Sequence, residues 1–178
     1  YPVIHHGIYY MDTLKDWSSF LTDLIQSLID KGFVVLIKSF CESSGAVIKD
    51  LIEEWKDLFG DRIKIIQDYR KGKSREYFDD VFATIWDSPT GGFVESLLTG
   101  TPAFSIASSK LMSFQPEAKI YINDLKKYGL LNETADNMAN NVEFAVNNVE
   151  WWDNRDRKKS IDNFLNKFIH TNANWNQE

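Results

Sequence analysis

The chain has 178 residues, of which 43% are hydrophobic and 26% are charged, and this composition is typical of one globular domain with a sizeable core. Its formal net charge of −6 argues against binding to duplex nucleic acid, because such proteins usually present a basic surface. No apolar run approaches the roughly 18 residues that a transmembrane helix needs. The single cysteine, Cys41, cannot form an internal disulfide, so we expect a cytoplasmic protein in a reducing compartment. The chain starts directly with an apolar run, without a basic leader, which indicates a domain from within a longer protein.

The first third of the chain predicts strands that alternate with helices. The apolar run at residues 3–9 is the first predicted strand, and a following helix begins at Asp12 or Thr13 and stops at Gly32, because its apolar residues recur at steps of three and four. Residues 33–37 are an unbroken, β-branched run, which is typical of a strand buried on both faces of a parallel sheet. A second amphipathic helix at residues 47–59 and a third strand at residues 63–66 follow.

The rest of the chain continues this alternation and then becomes helical. We predict a short helix at residues 76–80, a strand at 81–86, a helix at 93–98 and a strand at 103–106. After a loop, residues 119–122 predict a short strand, and Asn123 or Asp124 would cap a helix that ends near Gly129. Two more helices are predicted, at residues 134–149 and along the apolar stripe at residues 161–169.

Strands and helices in this order indicate βαβ units and therefore an α/β fold. The predicted architecture is a Rossmann-like, doubly wound and mostly parallel sheet of five to six strands, with helices on both faces because the crossovers are right-handed. Residues 1–149 would form this Rossmann-like domain. Residues 150–178 would form a C-terminal helix and tail that pack on this domain or toward a missing N-terminal domain.

The turn at residues 87–92, with the sequence DSPTGG, is the most informative strand-to-helix turn. Ligands of open parallel sheets bind beyond the carboxyl ends of the strands. The hydroxyls of Ser88 and Thr90, together with Gly91 and Gly92, would let a phosphate approach the start of the next helix, and Glu95 could accept hydrogen bonds from a ribose. The same residues also suit an ordinary helix start, with Thr90 as cap and Glu95 as a solvated acid, and physical chemistry alone leaves both readings open.

Residues 87–102, with the sequence DSPTGGFVESLLTGTP, resemble the donor-binding segment of GT-B glycosyltransferases. In that superfamily a hydroxyl- and glycine-rich turn precedes a helix with a glutamate, and a Gly-x-Pro turn follows. The resemblance spans roughly residues 3–170 and is greatest to bacterial surface-carbohydrate transferases of the capsule and lipopolysaccharide type. It implies that Ser88, Thr90, Gly91 and Gly92 hold the donor phosphates and that Glu95 holds the ribose.

The resemblance also implies what the chain works with. The substrate would be a nucleotide sugar, with no further cofactor, and the acceptor would be a glycan or a lipid-linked saccharide. The acceptor and the catalytic base usually belong to an N-terminal GT-B domain, which would be missing here, so the isolated chain would bind nucleotide and turn over nothing.

The other strand ends supply further candidates. Lys38 ends a predicted strand, and its ammonium suits a phosphate and solvent equally well. The turn after the third strand contacts the donor base in related transferases, which implies this role for Gln67, Asp68 and Tyr69. His6 lies in the turn His5-His6-Gly7 that interrupts the first predicted strand, and it is the candidate catalytic base or phosphate ligand. No metal site is predicted, because no second cluster of metal ligands has suitable spacing.

Three alternatives remain open from the residues alone. The basic cluster at residues 70–75 is either a solvated loop or a contact with an anionic ligand or with headgroups on the inner face of the membrane. A sugar-nucleotide 2-epimerase shares the fold and has a similar Ser-Gly-Gly and Glu arrangement, from which Pro89 and Thr90 depart. A non-catalytic, flavodoxin-like interaction domain is the third, although a phospho-receiver would need paired acids where this chain has His5 and His6.

Overall fold

The computed structural model describes residues 11–38, 45–66, 74–148 and 150–169, and this part of the chain has a mixed α/β fold. Its strands are β1 (Val35–Lys38), β2 (Ile63–Ile66), β3 (Thr84–Trp86), β4 (Ala103–Ile106) and β5 (Leu131–Asn132). Its α-helices are α1 (Met11–Asp30), α2 (Gly45–Phe59), α3 (Gly91–Thr99), α4 (Lys119–Lys127), α5 (Ala135–Asn147), α6 (Glu150–Asp153) and α7 (Arg155–Phe168). Short 3₁₀ helices cover Gly60–Arg62, Ser74–Asp80 and Pro116–Ala118.

The strands form two small parallel sheets. In one sheet β1 pairs with β2, with Val35 opposite Ile63. In the other the order is β3-β4-β5, with Thr84 opposite Ala103 and Ser105 opposite Leu131. The prediction of one sheet with five to six strands is therefore wrong for the described residues, because no ladder of hydrogen bonds in this part of the chain joins the two sheets. The first predicted strand, at residues 3–9, lies outside the described residues.

The prediction that the second strand is buried on both faces is also wrong. Leu36 is 37% exposed and Val34 is 56% exposed, whereas Val35 packs against both hydrophobic clusters. The strand starts later than predicted because Phe33 still takes part in the C-terminal capping of α1, where its N–H donates to the carbonyl of Leu28. Gly32 adopts a φ of +90° at this point, which confirms it as the helix stop.

Residues 119–122 form the start of α4, so the predicted strand and the predicted cap at Asn123 or Asp124 are wrong. Ile122 and Leu125 are buried three residues apart while Ile120 is 67% exposed, which is the pattern of a helix with one covered face. The β-branched residues suggested a strand, but the burial of that one face decides the conformation. The two-residue strand β5 was not predicted.

The core is divided into two packed clusters. The larger one surrounds β4, whose Phe104 is fully buried. Trp151 of α6 stacks on Phe104 with ring centroids 5.5 Å apart, and Phe164 of α7 contacts Phe93 of α3 at 6.3 Å. The smaller cluster lies among α1, α2 and the sheet of β1 and β2, around Trp55. The C-terminal helices α6 and α7 thus contribute to the core that positions β3 and α3.

Candidate functional site

The carboxyl ends of β3, β4 and β5 lie at one edge of their sheet, because all three strands are parallel. Neighbouring strands are about 4.8 Å apart, so the loops that follow them lie side by side. Ser88 follows β3, Ser108 follows β4, and Glu133 follows β5. The backbone N–H of Ser109 donates to the carboxylate of Glu133 at 2.8 Å, which ties the second loop to the third. This edge is where a parallel sheet offers a ligand site.

The turn after β3 brings its hydroxyl groups together. Ser88 is only 4% exposed, its hydroxyl donates to the carboxylate of Asp87 at 3.3 Å, and it lies 3.4 Å from the hydroxyl of Thr90. Thr90 is extended and occupies the N-cap position of α3, but its side chain makes no capping hydrogen bond. Thr90 is therefore the N-cap residue, as the helix-start interpretation predicts, but its hydroxyl accepts no hydrogen bond from the first amides of the helix.

The two glycines of the turn have different surroundings. A Cβ atom on Gly92 would lie 2.1 Å from Cζ3 of Trp86, so the indole ring occupies the space that a side chain would need. A Cβ atom on Gly91 would meet no atom within 4 Å. Gly92 is thus explained by the packing of Trp86, while Gly91 borders open space at the first residue of α3. A phosphate-binding role for either glycine stays a prediction.

Trp86 fixes α3 to the end of β3. Its Nε1–H lies 3.1 Å from both the hydroxyl of Thr84 and the hydroxyl of Ser96. Ser96 is fully buried and donates to the carbonyl of Gly92 at 3.0 Å. Trp86 and Ser96 were not singled out from the sequence, because a tryptophan in a strand and a serine in a helix look ordinary there. The available signal was a serine four residues after a glycine on an otherwise apolar helix face.

The 3₁₀ helix Ser74–Asp80 lies between the ends of β1 and β3. The ammonium of Lys38 is 5.9 Å from the ring centroid of Tyr77, within the range of a cation–π contact. The next residue, Phe78, makes an edge-to-face contact with Trp86 at 6.5 Å. The structure therefore links Lys38 to the turn after β3 through two neighbouring aromatic side chains.

The remaining predicted site residues fall into two groups. Glu95 is half-buried on α3, four residues after Gly91. His6, Gln67, Asp68 and Tyr69 lie outside the described residues, so their roles stay predictions.

Within the described ranges, no three His, Cys, Asp or Glu side chains lie close enough together to hold a metal ion. In the same part of the chain, every helix is too short or too polar to cross a lipid bilayer.

Comparison with known proteins assigns the chain to a family of enzymes. No curated protein and no solved structure matches the chain. The sequence model of a family described as LIC12162 family transferase matches residues 14–178, which include the whole carboxyl edge of β3-β4-β5 and the helices that pack on it. This match covers nearly the full length, and the chain therefore belongs to the LIC12162 family of transferases.

Proposed function

We propose that this chain is the donor-binding part of a glycosyltransferase that moves a sugar from a nucleotide-activated donor to a bacterial surface glycan. Membership of a transferase family supports group transfer. The observation that carries the donor-binding role is the start of α3, where hydroxyl groups and an unobstructed glycine meet the amino end of a helix.

The start of α3 has the properties of a phosphate site. The first N–H groups of a helix have no partner within the helix, and the helix dipole places partial positive charge there. The side chain of Thr90 makes no capping hydrogen bond, and the space beside Gly91 is open. A donor phosphate at this position would accept hydrogen bonds from these amides and from the Thr90 hydroxyl. The conformation of the turn would be stabilised by Ser88, which lies beside Thr90, and by Gly92, which packs against Trp86.

The proposed reaction places charge where these groups can stabilise it. The bond between the anomeric carbon and the donor phosphate oxygen breaks, the acceptor hydroxyl oxygen bonds to that carbon, and the hydroxyl proton passes to a base. Negative charge grows on the departing phosphate, and preorganised amides and hydroxyls lower the energy of that state. The ammonium of Lys38 would add positive potential from the β1 side, and no metal ion is required in this scheme.

The other roles complete the donor site. The carboxylate of Glu95 would accept hydrogen bonds from the ribose, since it lies about one helical turn from Gly91. Gln67, Asp68 and Tyr69 would contact the base, and His6 is the candidate for the catalytic base. The glycan or lipid-linked acceptor would be bound chiefly by an N-terminal GT-B domain.

Nucleotide binding tests this proposal directly. CMP, UDP, GDP and ADP are titrated by calorimetry and NMR against the wild-type chain, Gly91→Val and Glu95→Gln. We expect one nucleotide to bind in the millimolar range or tighter, and each variant to weaken its binding at least about tenfold, equivalent to about 1.4 kcal/mol. Gly91 is substituted because a side chain at Gly92 would displace Trp86 and so disturb the turn indirectly.

Two control variants separate a local effect from a general one. Thr99→Val replaces a hydroxyl by a methyl group at the exposed far end of α3, and Glu117→Gln removes a carboxylate from the exposed 3₁₀ helix Pro116–Ala118. Both should bind nucleotide as the wild type does. The donor-site proposal fails if none of the four nucleotides binds, or if Gly91→Val and Glu95→Gln bind as tightly as the two controls.

A further inference from the structure

A polar pocket lies beside β5, apart from the turn after β3. Its volume is about 340 Å³, at the low end of the range of about 300 to 1,000 Å³ for small-molecule pockets, which suits a single sugar-sized ring better than a whole nucleotide. Four of its seven lining residues are asparagines, and the only apolar one is Leu131. The lining residues are Lys126, Leu131, Asn132, Glu133, Asn137, Asn140 and Asn141.

Two of these asparagines are held in place by the fold. Asn132 is 3% exposed; its Nδ2 donates to the carbonyl of Gly129 at 3.1 Å, and its Oδ1 accepts from Nδ2 of Asn141 at 2.7 Å. Gly129 has a φ of +76°, and a Cβ atom there would lie 2.8 Å from Cγ of Asn141. The backbone therefore makes room for Asn141, and the floor of the pocket is preorganised.

The charged residues of the pocket neutralise each other. Lys126 donates to the carboxylate of Glu133, which also accepts the N–H of Ser109. Partial burial raises the pKa of Glu133, but the hydrogen bonds from Lys126 and Ser109 outweigh it and hold the pKa below its usual value. Glu133 is thus an ionised acceptor with its charge compensated. Such a lining favours a neutral ligand with many hydroxyl groups over a phosphate, because amides both donate and accept hydrogen bonds.

Helix stability does not explain the asparagines of α5. Asn140 and Asn141 occupy the second turn of this helix, where asparagine is less favourable than alanine by up to about 0.7 kcal/mol per residue. The side chain of Asn140 is exposed, so burial does not explain it either. Neither helix propensity nor the core therefore explains Asn140, and its amide is exposed at the pocket.

From this geometry we propose that the pocket beside β5 binds a neutral sugar ring through its asparagine amides. The ring could belong to the acceptor saccharide or to the sugar of the donor, and the recognition chemistry is the same. The strand ends of β3 and β5 are separated by two strand spacings, about 10 Å. Asn132 and Glu133 therefore place the pocket at the same edge of the sheet as the turn after β3, and none of its lining residues belongs to that turn.

The first experiment tests sugar binding and its location. Glucose, galactose, mannose and N-acetylglucosamine are titrated separately while backbone amide shifts are followed by NMR. We expect at least one sugar to bind in the millimolar range and to shift the amides of residues 131–141. In the double variant Asn137→Ala, Asn140→Ala, this binding should weaken at least fivefold while Tm stays equal or rises, because alanine is the better helix former.

A matched control comes from another helix. Asn163 is exposed in the middle of α7 and does not line the pocket, so Asn163→Ala should keep the sugar affinity unchanged with the same trend in Tm. The proposal is overturned if the double variant binds sugar as well as Asn163→Ala. It is also overturned if inorganic phosphate shifts residues 131–141 as strongly as the sugars do.

A second experiment identifies the source of the ring. UDP, GDP, UDP-glucose and GDP-mannose are titrated against the same chain. The ring belongs to an acceptor saccharide if free sugars shift residues 131–141 and prior addition of UDP or GDP leaves these shifts unchanged. It belongs to the donor if only the nucleotide sugars shift these residues. If neither free nor nucleotide-linked sugars shift these residues, the pocket proposal fails, whereas failure of UDP and GDP to shift residues 88–95 counts only against the donor site.

Discussion

The substitution Gly92→Ala should destabilise the protein far more than Gly91→Ala, although the two glycines are adjacent. A Cβ atom on Gly92 would lie 2.1 Å from Cζ3, 2.2 Å from Cη2 and 2.6 Å from Cε3 of Trp86. These distances are well below van der Waals contact, so the indole ring must move. A Cβ atom on Gly91 meets nothing within 4 Å, and the φ of Gly91 is not positive.

The cost follows from the contacts that the indole would lose. Overpacking of this kind costs about 1 to 3 kcal/mol. The displaced ring also loses hydrogen bonding of Nε1 to Thr84 and Ser96, worth about 1 kcal/mol, and its edge contact with Phe78, worth about 0.5 to 1.5 kcal/mol. Alanine recovers up to about 1 kcal/mol of helix propensity. The net loss expected for Gly92→Ala is about 1.5 to 5.5 kcal/mol, whereas Gly91→Ala should gain about 0.4 to 1 kcal/mol.

Urea denaturation followed by far-UV circular dichroism measures both free energies of unfolding. A double-mutant cycle then tests the cause, because Trp86→Leu removes the six-membered ring that Cβ would strike. In that background the cost of Gly92→Ala should fall below about 0.5 kcal/mol. The packing argument is refuted if Gly92→Ala is as stable as Gly91→Ala, or if its cost is the same with and without Trp86.

Three further stability predictions concern other parts of the fold. The pKa of Glu133 is lowered in the folded protein, so this residue contributes stability that is present above its unfolded-state pKa of about 4.3 and is lost as the pH falls through the lower folded-state pKa. On acidification below about pH 5, the Tm of Glu133→Gln should therefore fall less than the Tm of the wild type. Parallel curves of Tm against pH would contradict this. Gly129→Ala should cost more than Gly32→Ala in urea denaturation, since both have a positive φ but only a Cβ atom at Gly129 meets a neighbour within 4 Å; equal costs would show that the contact is relieved freely. Arg157 is 7% exposed, and its guanidinium stacks on Trp151 at 3.6 Å with Nη1 unpaired. Arg157→Met keeps the volume and removes a buried charge, so it should change the free energy of unfolding by less than about 1 kcal/mol. Arg157→Ala should cost about 2 kcal/mol or more, and equal losses in the two variants would assign the contribution to the charge.

Local patterns were sufficient to predict most of the elements. Apolar residues at helical spacing predicted α1, α2 and α7, and the glycine at position 32 correctly marked the end of α1. The strands β2 and β4 have the predicted bounds. These features follow from the sequence because they depend on periodicity and on the φ that glycine tolerates. The turn at residues 87–92 was also located correctly at the carboxyl end of a parallel strand.

Features that depend on distant contacts were decided by the tertiary structure. Residues 119–122 have strand-forming side chains but become helical, because Ile122 and Leu125 are covered by the core. The different surroundings of Gly91 and Gly92 depend on where Trp86 packs. The pocket beside β5 joins residues from α4, β5 and α5. It was not predicted because a strand of two residues has too short a sequence pattern to be recognised. The sequence by itself therefore determined which residues follow β2, β3 and β4, because those strands have clear local patterns. The packing of side chains from separate elements decided which of these residues share a site.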